Sequence, residues 1–302
     1  MTTIGVVGLG TMGGAIAGRL LAEGHTVHGT NRTRAKADPL ISQGLLWCDT
    51  PRTTALRSDV VISMVTDRDA LDTVTEGPDG ILAGLRPGGI YIDMSTVSPH
   101  TSRILAERVA SRGAAMLSAP VSGSVQAVEE GTLSIIAGGP ADAFEHAEPI
   151  LRQLGRTVTY VGDAGHALLL KLAINISLAV QMLAFSEGVL LAEQGGVDRN
   201  VTLQVMTHSA IGSPMLQARA ALLREMPDNA WFDVAMMQKD LRLALENGRD
   251  EGVPLPSTIV ADQMLSTTRA AGYEHRDIAV VFRMLSDMVA ASPERTLASV
   301  TA

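Results

Sequence analysis

Short runs of apolar, often β-branched residues alternate with amphipathic stretches over the first half of the chain. The runs predict seven strands, at Ile4–Val7, Thr26–Thr30, Val60–Val65, Ile90–Met94, Ala115–Leu117, Leu133–Ala137 and Thr157–Tyr160. Helical periodicity between them predicts helices that include Ala15–Ala22 and Ser98–Ser111. Because strands alternate with helices, we expect an α/β fold with a parallel, doubly wound sheet.

Strand patterns end near Gly162, and only helical periodicity follows. The stretch Ala164–Gln194 contains no proline and predicts one helix about 45 Å long. Further helices are predicted at Arg199–Thr207, Pro214–Arg224, Val234–Asn247, Thr258–Ala271 and Asp277–Met288. We therefore expect two domains, residues 1–162 and an all-helical region over residues 163–302, joined by the long helix. The small residues beyond Ala291 predict a frayed tail.

A glycine-rich turn follows the first strand and precedes the first helix. Its residues are Gly8, Leu9, Gly10, Thr11, Met12 and Gly13. In this pattern the first glycine makes a tight turn, the second lets the backbone approach a diphosphate, and the third lets the helix pack on the strand. The helix N-terminus supplies N–H groups and a partial positive charge. The turn therefore predicts a Rossmann-type dinucleotide site in residues 1–162.

The end of the second strand carries no acid. NAD-selective folds place an aspartate or glutamate there, on the ribose 2′-hydroxyl. This chain has Asn31, Arg32 and Thr33 instead, with Lys36 close behind. Arginine can bind a 2′-phosphate and stack on adenine, and a neutral asparagine does not repel the phosphate. We therefore expect NADP(H) to be preferred over NAD(H).

Lysine is rare in this chain. Only three of the 24 basic residues are lysines, namely Lys36, Lys171 and Lys239. Lys171 lies in an apolar stripe near the start of the long helix, and Asn175 follows one turn later on the same face. Desolvation and the helix dipole are expected to lower the pKa of Lys171, which suits a general acid or base. The alternative is a lysine that extends past the stripe to water.

Composition narrows the classes of partner and ligand. The net charge is −8 with no basic block, which argues against nucleic acid as a partner. The one cysteine, Cys48, permits no internal disulfide and indicates a reducing, cytoplasmic location. Because Lys171 and Asn175 interrupt the most apolar run, we expect no membrane span. The histidines are scattered without a metal-ligand spacing, so no metal site is expected.

Several motifs occur in an order that resembles the β-hydroxyacid dehydrogenases. Besides the glycine turn, they are Asp93–Pro99, Ala119–Gly123, Gly165 with Lys171 and Asn175, and Lys239–Leu241. That family includes 3-hydroxyisobutyrate dehydrogenase, tartronate semialdehyde reductase and glyoxylate/succinic semialdehyde reductases. The resemblance covers essentially the whole chain.

The resemblance implies catalytic roles for two residues and substrate contacts for three more. Lys171 would give a proton to the carbonyl oxygen as hydride reaches the carbon, and Asn175 would help to hold Lys171 and the substrate. Ser122 and Gly123 would bind a substrate carboxylate. Thr96 would contact both substrate and nicotinamide.

The resemblance also implies further cofactor contacts and an assembly. Lys239 would lie near cofactor and substrate, and Val65 and Thr66 would lie beside the nicotinamide ribose. A homodimer or homotetramer built on the long helix is implied as well.

Three residues depart from the family pattern. Ser124 stands where the family usually has glycine, so it either narrows the substrate pocket or adds a hydrogen bond. Thr66 replaces a common proline, and Ser118 replaces a common aspartate. These departures leave the identity of the small carboxylate substrate open.

The sequence therefore predicts an NADP(H)-dependent oxidoreductase acting on the CH–OH group of a small β-hydroxyacid, or in reverse on its semialdehyde or oxoacid. One alternative is an imine reductase, although those enzymes generally lack a lysine at the position of Lys171. An alternative of another class is a non-catalytic NADP-binding domain, as in chromatin-linked relatives. The pair Lys171 and Asn175 argues against that reading.

Overall fold

In the computed structural model, which describes residues 2–291, the chain divides into two units, Met1–Lys171 and Leu172–Ala302. The predicted tail lies outside the described residues. The sequence predicts a boundary between residues 162 and 163, just before the long helix begins at Ala164. The two units instead divide after Lys171, so the first two turns of that helix belong to the first unit.

Six parallel strands form the main sheet of the first unit. They are β1 (Thr3–Val7), β2 (Thr26–Thr30), β3 (Leu46–Trp47), β4 (Val60–Ser63), β5 (Ile90–Asp93) and β6 (Ala115–Ser118). Their order is β3-β2-β1-β4-β5-β6, and every neighbouring pair is parallel. The strand order reverses between β1 and β4, which is where doubly wound sheets bind their ligands.

Helices cover this sheet, and the sequence predicts the two that begin at Thr11 and Pro99 but not the others. The helices are α1 (Thr11–Ala22), α2 (Asp38–Ser42), α3 (Pro51–Leu56), α4 (Arg68–Thr75), α5 (Ile81–Gly84), α6 (Pro99–Ala110), α7 (Val125–Glu129) and α8 (Ala141–Leu154), with a 3₁₀ turn at Arg34–Ala37. One core cluster contains Ile4 and Ile62 with Leu20 of α1, and another contains Tyr91 with Leu105 of α6.

The last three strands of the unit form a separate small sheet, which the sequence pattern did not predict. They are β7 (Val121–Ser122), β8 (Ser134–Ala137) and β9 (Thr157–Tyr160). β7 pairs antiparallel with β8, and β8 pairs parallel with β9. An antiparallel bridge between Ser118 and Gly138 links the two sheets.

The long helix α9 (Ala164–Gln194) has the bounds that the sequence predicts. Within the described residues it alone is long and apolar enough to cross a membrane by length and composition, with a mean hydropathy of 1.9. One-third of its most apolar window is buried inside the protein. Core helices of water-soluble proteins have the same properties, so this finding does not identify a membrane span.

The second unit is helical throughout its described part, as predicted. After α9 it contains α10 (Arg199–His208), α11 (Pro214–Arg219), α12 (Val234–Asp250), α13 (Pro256–Ala270) and α14 (Val281–Ala290), with 3₁₀ turns at Ala220–Leu223 and Ile278–Val280. Phe185 of α9 packs in its core with Leu203, Val234 and Leu241. The predicted fold class, a Rossmann-type sheet followed by helices, is therefore confirmed.

Candidate active site

The glycine turn has the geometry of a diphosphate cradle. Gly8 has φ +93°, and a Cβ there would overlap the Met64 carbonyl oxygen. A Cβ on Gly13 would overlap the Gly8 carbonyl oxygen, so α1 can approach β1 only without a side chain there. A Cβ on Gly10 would meet no atom within 4 Å. The open space therefore lies in front of Gly10, where a diphosphate would need to approach the backbone.

The N-terminus of α1 faces the same turn. Gly10 is its N-cap residue and provides no side-chain cap, and the first turn contains no acid. Its backbone N–H groups and the helix dipole therefore suit an anion. These features fit the diphosphate of a nicotinamide dinucleotide.

Asn31 ties the end of β2 to the glycine turn. Its Oδ1 accepts a hydrogen bond from the Leu9 N–H at 3.0 Å, and its Nδ2 donates to the Thr33 carbonyl at 2.9 Å. Arg32 and Thr33 are exposed beside it, whereas Arg34 lies over the Trp47 ring. Of the residues predicted to select the cofactor, Asn31 thus contacts the glycine turn, and it has a structural role there that sequence reasoning missed.

Buried polar side chains join the ends of β4 and β5. The Tyr91 and Ser63 hydroxyls lie 2.7 Å apart, and Ser63 Oγ donates to Asp93 Oδ1 at 2.7 Å. Ser95 Oγ donates to the same carboxylate oxygen at 2.7 Å and accepts the Val65 N–H at 3.0 Å. Burial, and then the negative charge of Asp93, raise the pKa of Tyr91 well above its usual value, although the Ser63 hydrogen bond opposes them. The Tyr91 hydroxyl therefore stays protonated.

The predicted nicotinamide-side residues lie in the two loops that follow these strands. Val65 and Thr66 follow β4, and Thr96 follows β5 directly after Ser95. Thr66 Oγ1 donates to Asp67 at 2.8 Å, and Asp67 caps α4 through the Ala70 N–H. Since parallel strands end at the same edge, both loops lie on the edge that carries the glycine turn.

The predicted carboxylate loop leaves the small sheet at the end of β7. Gly123 has φ +143°, and a Cβ there would lie 2.7 Å from Leu133 Cδ2, so glycine is required. Ser122 and Ser124 are half-buried on either side of it. Ser124 is the N-cap residue of α7, yet its side chain makes no capping hydrogen bond. Its hydroxyl is therefore not committed to holding this short helix.

Ser118, the other departure from the family pattern, has a structural explanation. It is 1% exposed, and its hydroxyl forms a short hydrogen bond with the buried Ser102 hydroxyl of α6. Its backbone pairs with Asp93 of β5 and with Gly138. A serine here therefore completes a neutral buried contact between α6 and the sheet.

The start of α9, which carries Lys171, is anchored to α6. Asp163 accepts hydrogen bonds from the Gly165 N–H at 2.9 Å and from Arg103 Nε at 3.0 Å. Partial burial raises the pKa of Asp163, but these two hydrogen bonds and the Arg103 charge outweigh it, and the pKa lies below its usual value. A Cβ on Gly165 would lie 2.6 Å from Arg103 Cζ. Lys171 is half-buried two turns further along.

In the second unit, two predicted residues meet at a carboxylate. Asn175 is 1% exposed, and its Nδ2 donates to Asp240 Oδ2 at 2.5 Å. Lys239 Nζ lies 2.9 Å from Asp240 Oδ1. Asp240, itself 1% exposed, therefore holds both side chains. The only signal for Asp240 in the sequence was its position next to Lys239 in the Lys239–Leu241 motif.

Within the described part of the chain, no group of three or more histidine, cysteine, aspartate or glutamate side chains could hold a metal ion. Residues of the glycine turn, Asn31, the loops after β4 and β5, the carboxylate loop and Lys171 all belong to the first unit. Asn175 and Lys239 belong to the second.

The fold has a doubly wound sheet with a diphosphate cradle at the point where the strand order reverses. Together with two family matches, this defines an oxidoreductase that depends on a nicotinamide dinucleotide. Residues 3–162 match the model of the NAD binding domain of 6-phosphogluconate dehydrogenase. Residues 164–285 match the model described as NAD-binding of NADP-dependent 3-hydroxyisobutyrate dehydrogenase. The chain belongs to the 3-hydroxyisobutyrate dehydrogenase-like β-hydroxyacid dehydrogenase family.

Several relatives match the chain over almost its full length. 2-(Hydroxymethyl)glutarate dehydrogenase of Eubacterium barkeri is 32% identical over 290 residues, covering 96% of each chain. Glyoxylate/succinic semialdehyde reductase 2, chloroplastic, of Arabidopsis thaliana is 30% identical over 283 residues, covering 94% of this chain and 79% of the relative. The solved structure of Psf3 in complex with NADP+ and 2-OPP is 30% identical, with a TM-score of 0.87 over 93% of this chain and 99% of that one.

Two further similar proteins have names of other kinds. The structure of an imine reductase from Myxococcus stipitatus in complex with NADP+ has 21% identity and a TM-score of 0.64, covering 94% of this chain and 99% of that one, which shows a shared fold alone. Cytokine-like nuclear factor N-PAC of Homo sapiens is 33% identical over 280 residues, and the chain spans about half of its length.

Proposed function

We propose that this oxidoreductase uses NADP(H) to interconvert a small β-hydroxyacid and its semialdehyde or oxoacid, with Lys171 as the general acid and base. The observation that carries the proposal is the open cradle in front of Gly10, in the same unit as Lys171. The names of the relatives, a hydroxymethylglutarate dehydrogenase and a semialdehyde reductase, support substrates of this class.

The preference for NADP(H) is supported by the end of β2. Asn31 brings no negative charge to the position where a 2′-phosphate would lie, and Arg32 and Thr33 are exposed next to it. Because Asn31 also binds the Leu9 N–H, its side chain is held against the turn. The NADP+ complex of Psf3 is consistent with this preference.

The chain's own residues then have the following roles. Ser122, through its hydroxyl, and Gly123, through its N–H, bind the substrate carboxylate, and Thr96 orients the reacting end. The nicotinamide, when bound, supplies the hydride. Lys171 Nζ gives a proton to the carbonyl oxygen during reduction and takes it back during oxidation, so charge does not build up on that oxygen.

The residues of the second unit support binding. Asn175 and Lys239 have the substrate- and cofactor-binding roles that the family resemblance gives them. Asp240 fixes both side chains by accepting a hydrogen bond from one and pairing with the charge of the other. This arrangement favours one rotamer of each before the substrate arrives.

We also propose a homodimer or homotetramer in which α9 contributes to the interface. Leu170 and Ile174, one turn apart on α9, are 46% and 37% exposed, and Leu191 is 77% exposed. Exposed aliphatic side chains along one helix are typical of a surface covered by another chain. Light scattering after gel filtration would give the mass of the assembly, and a monomer would contradict the proposal.

A cytoplasmic location is part of the proposal. The single cysteine, Cys48, is buried and cannot form an internal disulfide. This fits a reducing compartment, and fractionation of the source cells would test it.

The experiment that tests the function is NADPH oxidation, with NADH in parallel, against a panel of substrates. The panel contains succinic semialdehyde, glyoxylate, methylmalonate semialdehyde, tartronate semialdehyde and one cyclic imine. We expect turnover of at least one carboxylate-bearing aldehyde, faster with NADPH. Turnover of the imine alone would favour the imine reductase alternative, and binding of NADPH without turnover of any compound would favour a non-catalytic domain.

A further inference from the structure

A buried polar chain lies beneath the two loops that carry the proposed nicotinamide-side residues. Tyr91, Ser63 and Ser95 are each 0% exposed, and Asp93 is 1% exposed. Each hydroxyl has one hydrogen and donates it to another member of the set. The Tyr91 hydroxyl donates to Ser63, the Ser63 hydroxyl donates to Asp93, and the Ser95 hydroxyl donates to the same carboxylate.

A contribution to stability does not by itself explain this set of buried, hydrogen-bonded side chains. The set lies between central strands whose neighbouring core residues are aliphatic, among them Val61 and Ile62. Burying hydroxyls and a carboxylate costs free energy that their hydrogen bonds only partly offset.

The chain ends on main-chain groups of the loops. Asp93 Oδ1 accepts the Ser95 N–H at 3.2 Å, in addition to the two serine hydroxyls. Ser95 Oγ in turn accepts the Val65 N–H at 3.0 Å. One carboxylate oxygen therefore fixes the loop after β5 directly and the loop after β4 through Ser95. The donors to that oxygen are therefore linked to both loops.

We propose that Ser63 and Tyr91 are positioning residues that hold Asp93, and through it Val65 and Thr96, in the arrangement that receives the nicotinamide end of the cofactor. This inference rests on the proposed function, because it uses the cofactor contacts proposed for Val65 and Thr96. Neither Ser63 nor Tyr91 is itself a contact residue in that proposal.

The double variant Ser63→Ala/Tyr91→Phe separates positioning from stability. It removes both hydroxyls of the Tyr91–Ser63 hydrogen bond together, but it also takes the Ser63 donor from the buried Asp93 carboxylate. Asp93 Oδ1 thereby loses the Ser63 hydroxyl and keeps the Ser95 hydroxyl and N–H. We therefore expect a lower melting temperature, and binding is measured well below it. The single variant Tyr91→Phe is a milder version that keeps the Ser63–Asp93 hydrogen bond.

The readout is direct binding, measured by calorimetry, of the whole dinucleotide and of its adenosine half. The dinucleotide is whichever of NADPH and NADH binds the wild type more tightly, and the half is 2′,5′-ADP or ADP to match. For the double variant we expect the Kd of the dinucleotide to rise about five- to tenfold, as for loss of one buried hydrogen bond. The Kd of the adenosine half should change less than about twofold.

A matched control is Ser58→Ala. Ser58 is also buried, and its hydroxyl donates to the Thr54 carbonyl at 2.8 Å, at the other end of β4. This variant should bind both ligands like the wild type. Equal weakening of both ligands, or unchanged dinucleotide binding, in the double variant would overturn the inference alone. A wild-type protein that binds no nicotinamide dinucleotide would overturn the proposed function with it.

Discussion

The side-chain amide of Asn175 donates a 2.5 Å hydrogen bond to the carboxylate of Asp240, 65 residues away in sequence, and both residues are 1% exposed. The same carboxylate pairs with Lys239 at 2.9 Å. Two side chains that the family resemblance places at the substrate and cofactor are therefore oriented by a third. The resemblance predicts roles for the first two, and the structure adds the residue that connects them.

Replacing Asp240 by asparagine should lower kcat/KM about ten- to hundredfold. The asparagine has no negative charge to pair with Lys239. It also has one oxygen instead of two, so it cannot serve both Asn175 and Lys239. Hydrogen bonds to charged groups contribute more free energy than neutral ones, so the loss should be large. The measurement is steady-state kinetics on the preferred aldehyde.

Asp262→Asn is the control for this variant. Asp262 is a carboxylate on α13 that pairs with Arg242 of α12 at 3.4 Å. It should keep wild-type kinetics. If both variants behaved alike, Asp240 would have no specific role at the site.

The variant Asn31→Asp should shift cofactor preference from NADPH toward NADH by about tenfold or more, because a carboxylate would repel the 2′-phosphate at short range. The aspartate can still accept the Leu9 N–H, so the glycine turn should keep its conformation, although the hydrogen bond to the Thr33 carbonyl is lost. The ratio of kcat/KM for the two cofactors is the quantity to measure. Asn200→Asp, on an exposed position of α10, should leave that ratio unchanged. An unaltered ratio in Asn31→Asp would remove the basis for NADP selectivity at this position.

Ser124 should determine which aldehydes are accepted. Its hydroxyl does not cap α7, so Ser124→Gly should cost little stability while changing the ratio of kcat/KM for succinic semialdehyde and glyoxylate about fivefold. Ser124→Ala distinguishes the two physical causes. If alanine behaves like glycine, the hydroxyl forms a hydrogen bond to substrate, and if alanine behaves like serine, the side chain acts by its size. Three identical profiles would show that Ser124 has no part in specificity.

His28 should make the protein less stable in mild acid. Burial, and then the charge of Arg57, lower the pKa of His28 from 6.5, so the folded state favours the neutral ring. Its contribution to stability is complete above pH 6.5 and is lost as the pH falls through the lowered pKa. The variant His28→Gln should therefore show a shallower fall in melting temperature between pH 7.5 and 5. His208→Gln, at an exposed position, should follow the wild type, and a His28→Gln curve parallel to the wild type would refute the assignment.

The sequence predicted those parts of the fold that depend on local patterns. The bounds of α9 and of β2 and β9 agree with the structure, because apolar periodicity and glycine or proline residues define them. It missed α4 and α8 although both are amphipathic, and α8 has a proline, Pro149, inside it. The helix α3 and the two-residue strand β3, which it missed as well, are too short to show a period. It also missed the separate sheet of β7, β8 and β9, because strand pairing depends on long-range contacts that have no local signal.

The candidate site likewise has parts with a local sequence signal and parts that depend on long-range contacts. Motif spacing located the glycine turn and Lys171. The Asn31 bond to Leu9, the Asp240 contacts and the Ser63–Asp93 chain join residues 22 to 65 positions apart. Such contacts follow from tertiary packing, so no periodicity or spacing in the sequence indicates them.

The most direct test of the central claim is the kcat of Lys171→Arg at saturating cofactor and aldehyde. Arginine keeps the positive charge but cannot give up a proton at accessible pH. We predict a kcat lower by about 100-fold or more, with the Kd for NADPH unchanged. A Lys171→Arg enzyme with wild-type kcat would contradict the assignment of Lys171 as the general acid and base.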